Sequence, residues 1–150
     1  MYMSVQDIAS DIIRCFKSGN KIFVIGNGGS ATMSSHMVGE LQGQFNYKRK
    51  PLPALSLFDL ASMTAIANDL GYDKIFVRPL EALGKPGDIL VTLSTSGKSK
   101  NILKAIKYAQ KHNIKVIDWP RKGEKSFQIQ ENQLKEIHKV CGIVEKEFVC

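Results

Sequence analysis

The sequence predicts a doubly wound α/β fold, in which a mostly parallel sheet of four or five strands is flanked by helices. Two observations carry this prediction. Short apolar runs, "KIFVIG", "ALSLF", "GDILVTLS" and "IKVID", alternate with longer segments whose apolar residues recur at helical spacing. No internal repeat, low-complexity stretch or linker-like composition interrupts the alternation, so residues 1–150 read as one domain.

Each element follows from local chemistry. Val5, Ile8, Ala9, Ile12, Ile13 and Phe16 form one stripe, which predicts a helix over residues 4–18 that "SGN" stops. "KIFVIG" is a strand ending at glycine, and helical spacing returns from Ser30 to about Gln44. "YKRKPLP" reads as a loop and "ALSLF" as the second strand. "DLASMTAIAND" predicts a helix with Asp59 or Ser62 as its cap. "DKIFVRPLEALG" reads as helical although it contains Pro79. "GDILVTLS" is the third strand, and Ser99 to His112 a helix with Ile102, Leu103, Ile106 and Ala109 inward. "IKVID" is the fourth strand, and residues 126–148 form the last helix.

Bulk properties narrow the function. A chain of 150 residues with 43% apolar content fills one real core. No apolar run approaches the roughly 18 residues of a membrane span, and "MYMSVQDIASDIIRCF" carries acids and no basic leader, unlike a signal peptide. Cys15, Cys141 and Cys150 lack CxxC spacing, which fits reduced thiols in a cytoplasm. A net charge of +7 suits an anionic partner, either nucleic acid or a sugar phosphate. The basic residues are scattered and no aromatic-interleaved basic motif stands out, so a nucleic-acid partner is not expected.

Two loops at strand ends share one chemistry. Gly26-Asn27-Gly28-Gly29-Ser30 follows the first strand, and "LSTSGKS", Leu93 to Ser99, follows the third. In open α/β sheets ligands gather beyond the carboxyl ends of the strands. Glycine lets backbone N–H groups approach a ligand, and a helix N-terminus favours an anion. Ser94, Thr95, Ser96 and Ser99 add hydroxyl donors. Either loop alone is a common tight turn or cap, and "GNGGS" fits neither GxGxxG nor the P-loop pattern. Together, without a nucleotide fingerprint, they point to a smaller phosphorylated ligand such as a sugar phosphate.

His36 and Glu40 stand four residues apart, so on a helix both project from one face, a spacing that suits either a surface hydrogen bond or two ligands of one zinc ion. His112 reads as an exposed residue near a helix C-terminus, where it complements the dipole.

The stretches "GNGGSATMSSHMVGEL", "AIANDLGY", "LSTSGKSKNILKAI" and "IQENQLKEIHKVCGIVEKEF" resemble the phosphoheptose isomerases of the sugar isomerase (SIS) family, from about Asp7 onward. The resemblance implies isomerisation of sedoheptulose 7-phosphate to D-glycero-D-manno-heptose 7-phosphate in a zinc-dependent cytoplasmic tetramer. That step leads to activated heptose for lipopolysaccharide or capsule. It also implies roles for residues. Asn27, Gly28, Gly29, Ser30, Asp69 and Gln130 would meet substrate, with Ser94, Thr95, Ser96 and Ser99 on its phosphate. His36, Glu40, Gln130 and His138 would hold zinc, and Glu40 and His138 would form the acid–base pair.

Three departures from the family pattern accompany these matches. The family carries a further long N-terminal helix that helps build the tetramer, and the chain starts late relative to it. Only "WPRKGEKSF" stands between the fourth strand and the last helix, where the family has a further strand and a polar loop. Gln44 replaces a usual Arg, and Phe127 and Gln128 replace a polar residue and an Arg. A competing reading is therefore a non-catalytic SIS module that binds a phosphosugar or regulates a partner, as in replication initiation. Gln130 and His138 also raise a geometric question, because eight helical residues separate them by about 12 Å. Either the last helix begins after Gln130 or the two residues serve sites on different subunits.

Overall fold

A computed structural model describes residues 2–149. The elements, in order, are α1 (Val5–Lys17), β1 (Ile22–Gly26), α2 (Gly29–Gln42), β2 (Ala54–Ser56), α3 (Leu60–Leu70), a 3-10 turn (Tyr72–Lys74), α4 (Val77–Leu83), β3 (Ile89–Leu93), α5 (Lys100–Lys111), β4 (Lys115–Asp118) and α6 (Ser126–Lys146). The four strands form one parallel sheet in the order β2-β1-β3-β4.

The sheet separates two apolar layers, and strand alternation assigns each side chain to one of them. Ile22, Val24, Ile89 and Val91 face α1, α2 and α6, where they meet Ile8, Ile12, Met37, Ile137 and Val140. Phe23, Ile25 and Leu90 face the other way, toward Phe76, Leu80, Ile102 and Ala105. Burial on both faces is why β1 and β3 are unbroken apolar runs.

Local signals account for most boundaries. Ser4 caps α1 in a reciprocal box with Asp7, each accepting the other's backbone N–H at 3.1 Å. Asp59, rather than Ser62, caps α3 by accepting the Ser62 N–H at 2.7 Å. Pro79 is harmless because it stands in the first turn of α4, where its missing N–H would have no intrahelical partner. The preceding "YDK" closes as a separate 3-10 turn, so the expected single helix is two pieces. On α5, Leu103 is 47% exposed, contrary to its expected inward position, and Asn101 is buried instead. The helix turns Asn101 toward the β1–α2 loop, where it pairs with Asn27.

At the opposite end of the sheet, Asp88 is buried before β3. It accepts the backbone N–H groups of Lys21 (3.1 Å) and Lys85 (2.9 Å), the Asn20 amide (3.0 Å) and the Lys21 ammonium (2.6 Å). Burial opposes ionisation of its carboxyl, yet the Lys21 and Asn20 contacts prevail and hold its pKa below the ordinary carboxylate value. Cys15 and Cys141 are unpaired buried thiols, and Cys150 lies outside the described residues. No helix among the described residues is long and apolar enough to cross a membrane.

Candidate active site

Strands β1 and β3 are paired side by side, so the loops after them converge. Asn27 and Asn101 tie the loops together through reciprocal amide bonds, with Nδ2 of Asn27 donating to Oδ1 of Asn101 (3.0 Å) and the reverse at 2.8 Å. Tyr72 adds a hydroxyl donor to Asn27 Oδ1 at 3.3 Å. This is why Asn101 is buried on α5. Asn27, expected to meet substrate, thus has its amide engaged mainly in loop positioning.

Between the loops lies a cavity of about 60 Å³ lined by Asn27, Ser30, Leu93, Ser94, Thr95, Ser96, Ser99 and Gln130. Pockets that enclose whole small molecules typically measure about 300–1,000 Å³. This one has room for a phosphate-sized group, and the rest of a sugar phosphate must extend outside it.

Its hydrogen-bonding capacity suits an anion. Ser94 Oγ accepts the Gly97 N–H at 3.0 Å and Ser96 Oγ accepts the Lys98 N–H at 3.1 Å. A hydroxyl that accepts can still donate its own hydrogen to a ligand. Ser99 occupies the N-cap of α5 without making a side-chain cap bond, which leaves its hydroxyl uncommitted. The N-termini of α2 and α5 both open here and add the positive ends of two dipoles. Arg121 lies just outside, packed over Gly97, where an added Cβ would approach the guanidinium carbon to 2.9 Å. Gly29 plays the same part at Gln130, since a Cβ there would lie 2.7 Å from the side-chain amide.

Further along α2, His36 and Glu40 face His138 of α6. Nε2 of His36 lies 3.1 Å from Glu40 Oε1 and 3.0 Å from Nε2 of His138. One ligand atom from each of the three residues falls within 4.8 Å of the others. The His138 ring stacks on Phe45, with centroids 5.6 Å apart and planes at 20°. Two imidazole nitrogens and one carboxylate oxygen, partly exposed, form a group able to hold a metal ion. Cys141 lies one turn beyond His138, but burial, reinforced by the Glu40 charge, pushes its thiol up to about 12. Its sulfur is not among the ligand atoms that the cluster brings together.

The remaining expected residues are placed elsewhere. Helix α6 is continuous from Ser126, which excludes a helix beginning after Gln130. Gln130 therefore projects at the serine cavity and His138 at the His–Glu cluster, about two turns away. Gly28 and Gly29 are exposed at the start of α2. Asp69 is exposed on α3, accepts the Asn68 amide at 2.9 Å, and lines a separate depression with Ser62, Ile66 and Arg78. Asn101 and Phe45 are the contributors that sequence reasoning missed. Asn101 was visible only as a polar residue in the first turn of a helix, and nothing marked Phe45.

The description of the SIS domain family matches residues 2–118. The chain belongs to the SIS domain family. A probable phosphoheptose isomerase of Thermoplasma acidophilum is 40% identical over 158 positions, covering 94% of this chain and 87% of that protein. Those 158 positions exceed the 150 residues of this chain, so the relative carries residues within the matched span that are missing here. A phosphoheptose isomerase of Campylobacter concisus is also 40% identical, over 88% of this chain and 79% of its own length. Among solved structures, the phosphoheptose isomerase of Francisella tularensis superposes with a TM-score of 0.88 at 31% identity, covering 95% of this chain and 85% of that one. GmhA of Neisseria gonorrhoeae gives 0.84 at 30% identity with the same coverage.

Proposed function

We propose that this SIS protein is a phosphoheptose isomerase that interconverts sedoheptulose 7-phosphate and D-glycero-D-manno-heptose 7-phosphate in heptose biosynthesis. One observation carries the reading: a phosphate-sized hydroxyl cavity at the loops after β1 and β3, which α2 and α6 reach through Ser30 and Gln130, shares those two helices with a His–Glu–His cluster. The relatives named above support it. Heptose made this way would serve lipopolysaccharide or capsule.

Ser94, Thr95, Ser96 and Ser99 bind the phosphate against the two helix N-termini, and Ser30 and Gln130 guide the sugar out of the cavity. Glu40 removes a proton from C1 of the ketose while His138 protonates the C2 oxygen, which produces an enediol. Glu40 then returns the proton to C2 as His138 takes the proton of the C1 hydroxyl, which leaves the aldehyde. His36, Glu40 and His138 would hold zinc, whose chemistry is to stabilise negative charge on the substrate oxygens.

The working form is a homo-oligomer, in our reading a tetramer. Helix α3 buries none of its residues within the chain, and Leu60 is 78% exposed, with Leu70 and Tyr72 exposed nearby. The distance between Gln130 and His138 along α6 favours sites that combine the cavity of one subunit with the cluster of another. Incubation with sedoheptulose 7-phosphate and zinc should yield the aldose. Phosphosugar binding without product would instead identify a non-catalytic binding module.

A further inference from the structure

The His–Glu–His cluster joins residues on two helices, and little in its own contacts fixes the distance between those helices. His36 is among the more exposed members of the cluster, and its partners meet it only at their tips. The structure points to a device behind it.

Arg49 leaves the loop after α2 and turns back beneath the C-terminal end of that helix. Its Nη2 donates to the carbonyl of Glu40 at 2.7 Å, and its Nη1 to those of Leu41 (2.9 Å) and Gly43 (3.1 Å). Carbonyls in the last turn of a helix have no intrahelical partner, and this guanidinium satisfies several at once. One of them belongs to Glu40 itself.

The same guanidinium faces α6. Nε of Arg49 lies 3.4 Å from Oε2 of Glu145, and both side chains have no exposed surface. The alignment is too poor for a hydrogen bond from Nε, so the contact is a buried ion pair. Glu145 in turn accepts the backbone N–H of Asn46 at 2.8 Å. That bond anchors the loop segment next to Phe45, whose ring stacks on His138. Residue 145 thus fixes the platform of residue 138 on the same helix.

We propose that Arg49 and Glu145 are a positioning pair that sets the spacing of α2 and α6 and thereby brings Glu40, His36 and His138 into one site. Neither residue touches substrate. An apolar core alone would allow the helices to slide or rotate slightly, whereas a planar fork gripping specific carbonyls fixes register. Lysine in place of Arg49 keeps the charge facing Glu145 but cannot hold three carbonyls in that geometry. A partner that orients a metal ligand typically alters metal affinity by about 10–100-fold when replaced.

The proposal rests on reading the cluster as the metal and proton-transfer site, so its test uses two readouts. Arg49→Lys keeps a positive charge facing Glu145, whereas Glu145→Gln keeps the volume and an oxygen able to accept the Asn46 N–H but removes the counter-charge of Arg49. The first readout is zinc affinity by chelator competition, with inorganic phosphate binding followed on the same samples. Both variants should bind zinc about 10–100-fold more weakly and phosphate within about twofold of wild type. The second readout needs no metal: NMR cross-peaks between the ring protons of Phe45 and His138 should weaken or vanish in Arg49→Lys. Failure of wild-type protein to bind zinc would overturn the metal reading, and the ring contact would still decide the positioning role. Retention of the Phe45–His138 contact in a folded Arg49→Lys protein would overturn the proposal. Loss of phosphate binding in parallel with zinc would also overturn it, since that is general destabilisation.

Discussion

The serine cavity and the His–Glu–His cluster share α2 and α6 but are assembled on different principles. The cavity is made of two short contiguous loops whose backbone N–H groups, hydroxyls and helix ends are local properties, joined by one pair of asparagines. The cluster joins side chains 102 positions apart and depends on the separation of two helices. Each loop of the first is preorganised by its own turn geometry, and the cavity then needs the β1–β3 pairing that brings the loops together and Gln130 of α6. The second exists only when α2 and α6 are correctly docked. Damage to each should therefore have a different signature.

The largest expected effect is on turnover through the cluster. Glu40→Gln keeps the shape and one oxygen donor but removes the basic carboxylate. It should lower kcat by about a hundredfold or more, the scale of a general base, with little change in substrate affinity. Zinc content and rate measured on one sample sharpen the comparison. Full metal with near-normal turnover would show that Glu40 is not the base.

Next comes the cavity. Ser94→Ala together with Ser96→Ala removes two donors to the phosphate and two acceptors of loop N–H groups. Substrate binding should weaken by about 2 kcal/mol, roughly 30-fold, while zinc affinity is unchanged. Isothermal titration with the sugar phosphate and separately with zinc checks both halves. Equal losses at both sites would mean that the cavity and the cluster do not stand independently.

Mixing the two mutants asks whether the regions cooperate within one subunit or between subunits. Hetero-oligomers of Glu40→Gln chains and Ser94→Ala/Ser96→Ala chains should regain part of the lost activity, because an intact cavity can then meet an intact cluster across an interface. Absence of any recovery in verified mixed oligomers would mean that each subunit works alone.

The smallest expected effect on catalysis lies at the far end of the sheet. The Asp88 carboxyl has a folded pKa below its unfolded value, so its stabilisation is fully present above the ordinary carboxylate range, about pH 4. It is lost as pH falls through the folded value. Asp88→Asn should lower stability at neutral pH by about 1–3 kcal/mol without altering kcat of the folded enzyme. Its melting-temperature deficit should shrink as the pH falls below about 4. A constant deficit from pH 7 downward would assign the loss to packing instead.

The alternation of strand and helix, the two anion-favouring loops and the His36–Glu40 pair on one helix face were all determined by the sequence, because each depends on residues within a turn or two of one another. Strand edges and caps shifted by a residue or two where positive-φ glycine or a buried carboxylate intervened, as at Gly87 and Asp88 before β3. The resemblance supplied Gln130 and His138, but only the continuous α6 decided that they address different places. Tertiary structure alone buried Asn101 in place of Leu103, laid Phe45 on His138, and set Arg49 between two helices. Side chains from distant segments become neighbours only when the sheet and its helices pack, and no local propensity encodes the distance between α2 and α6.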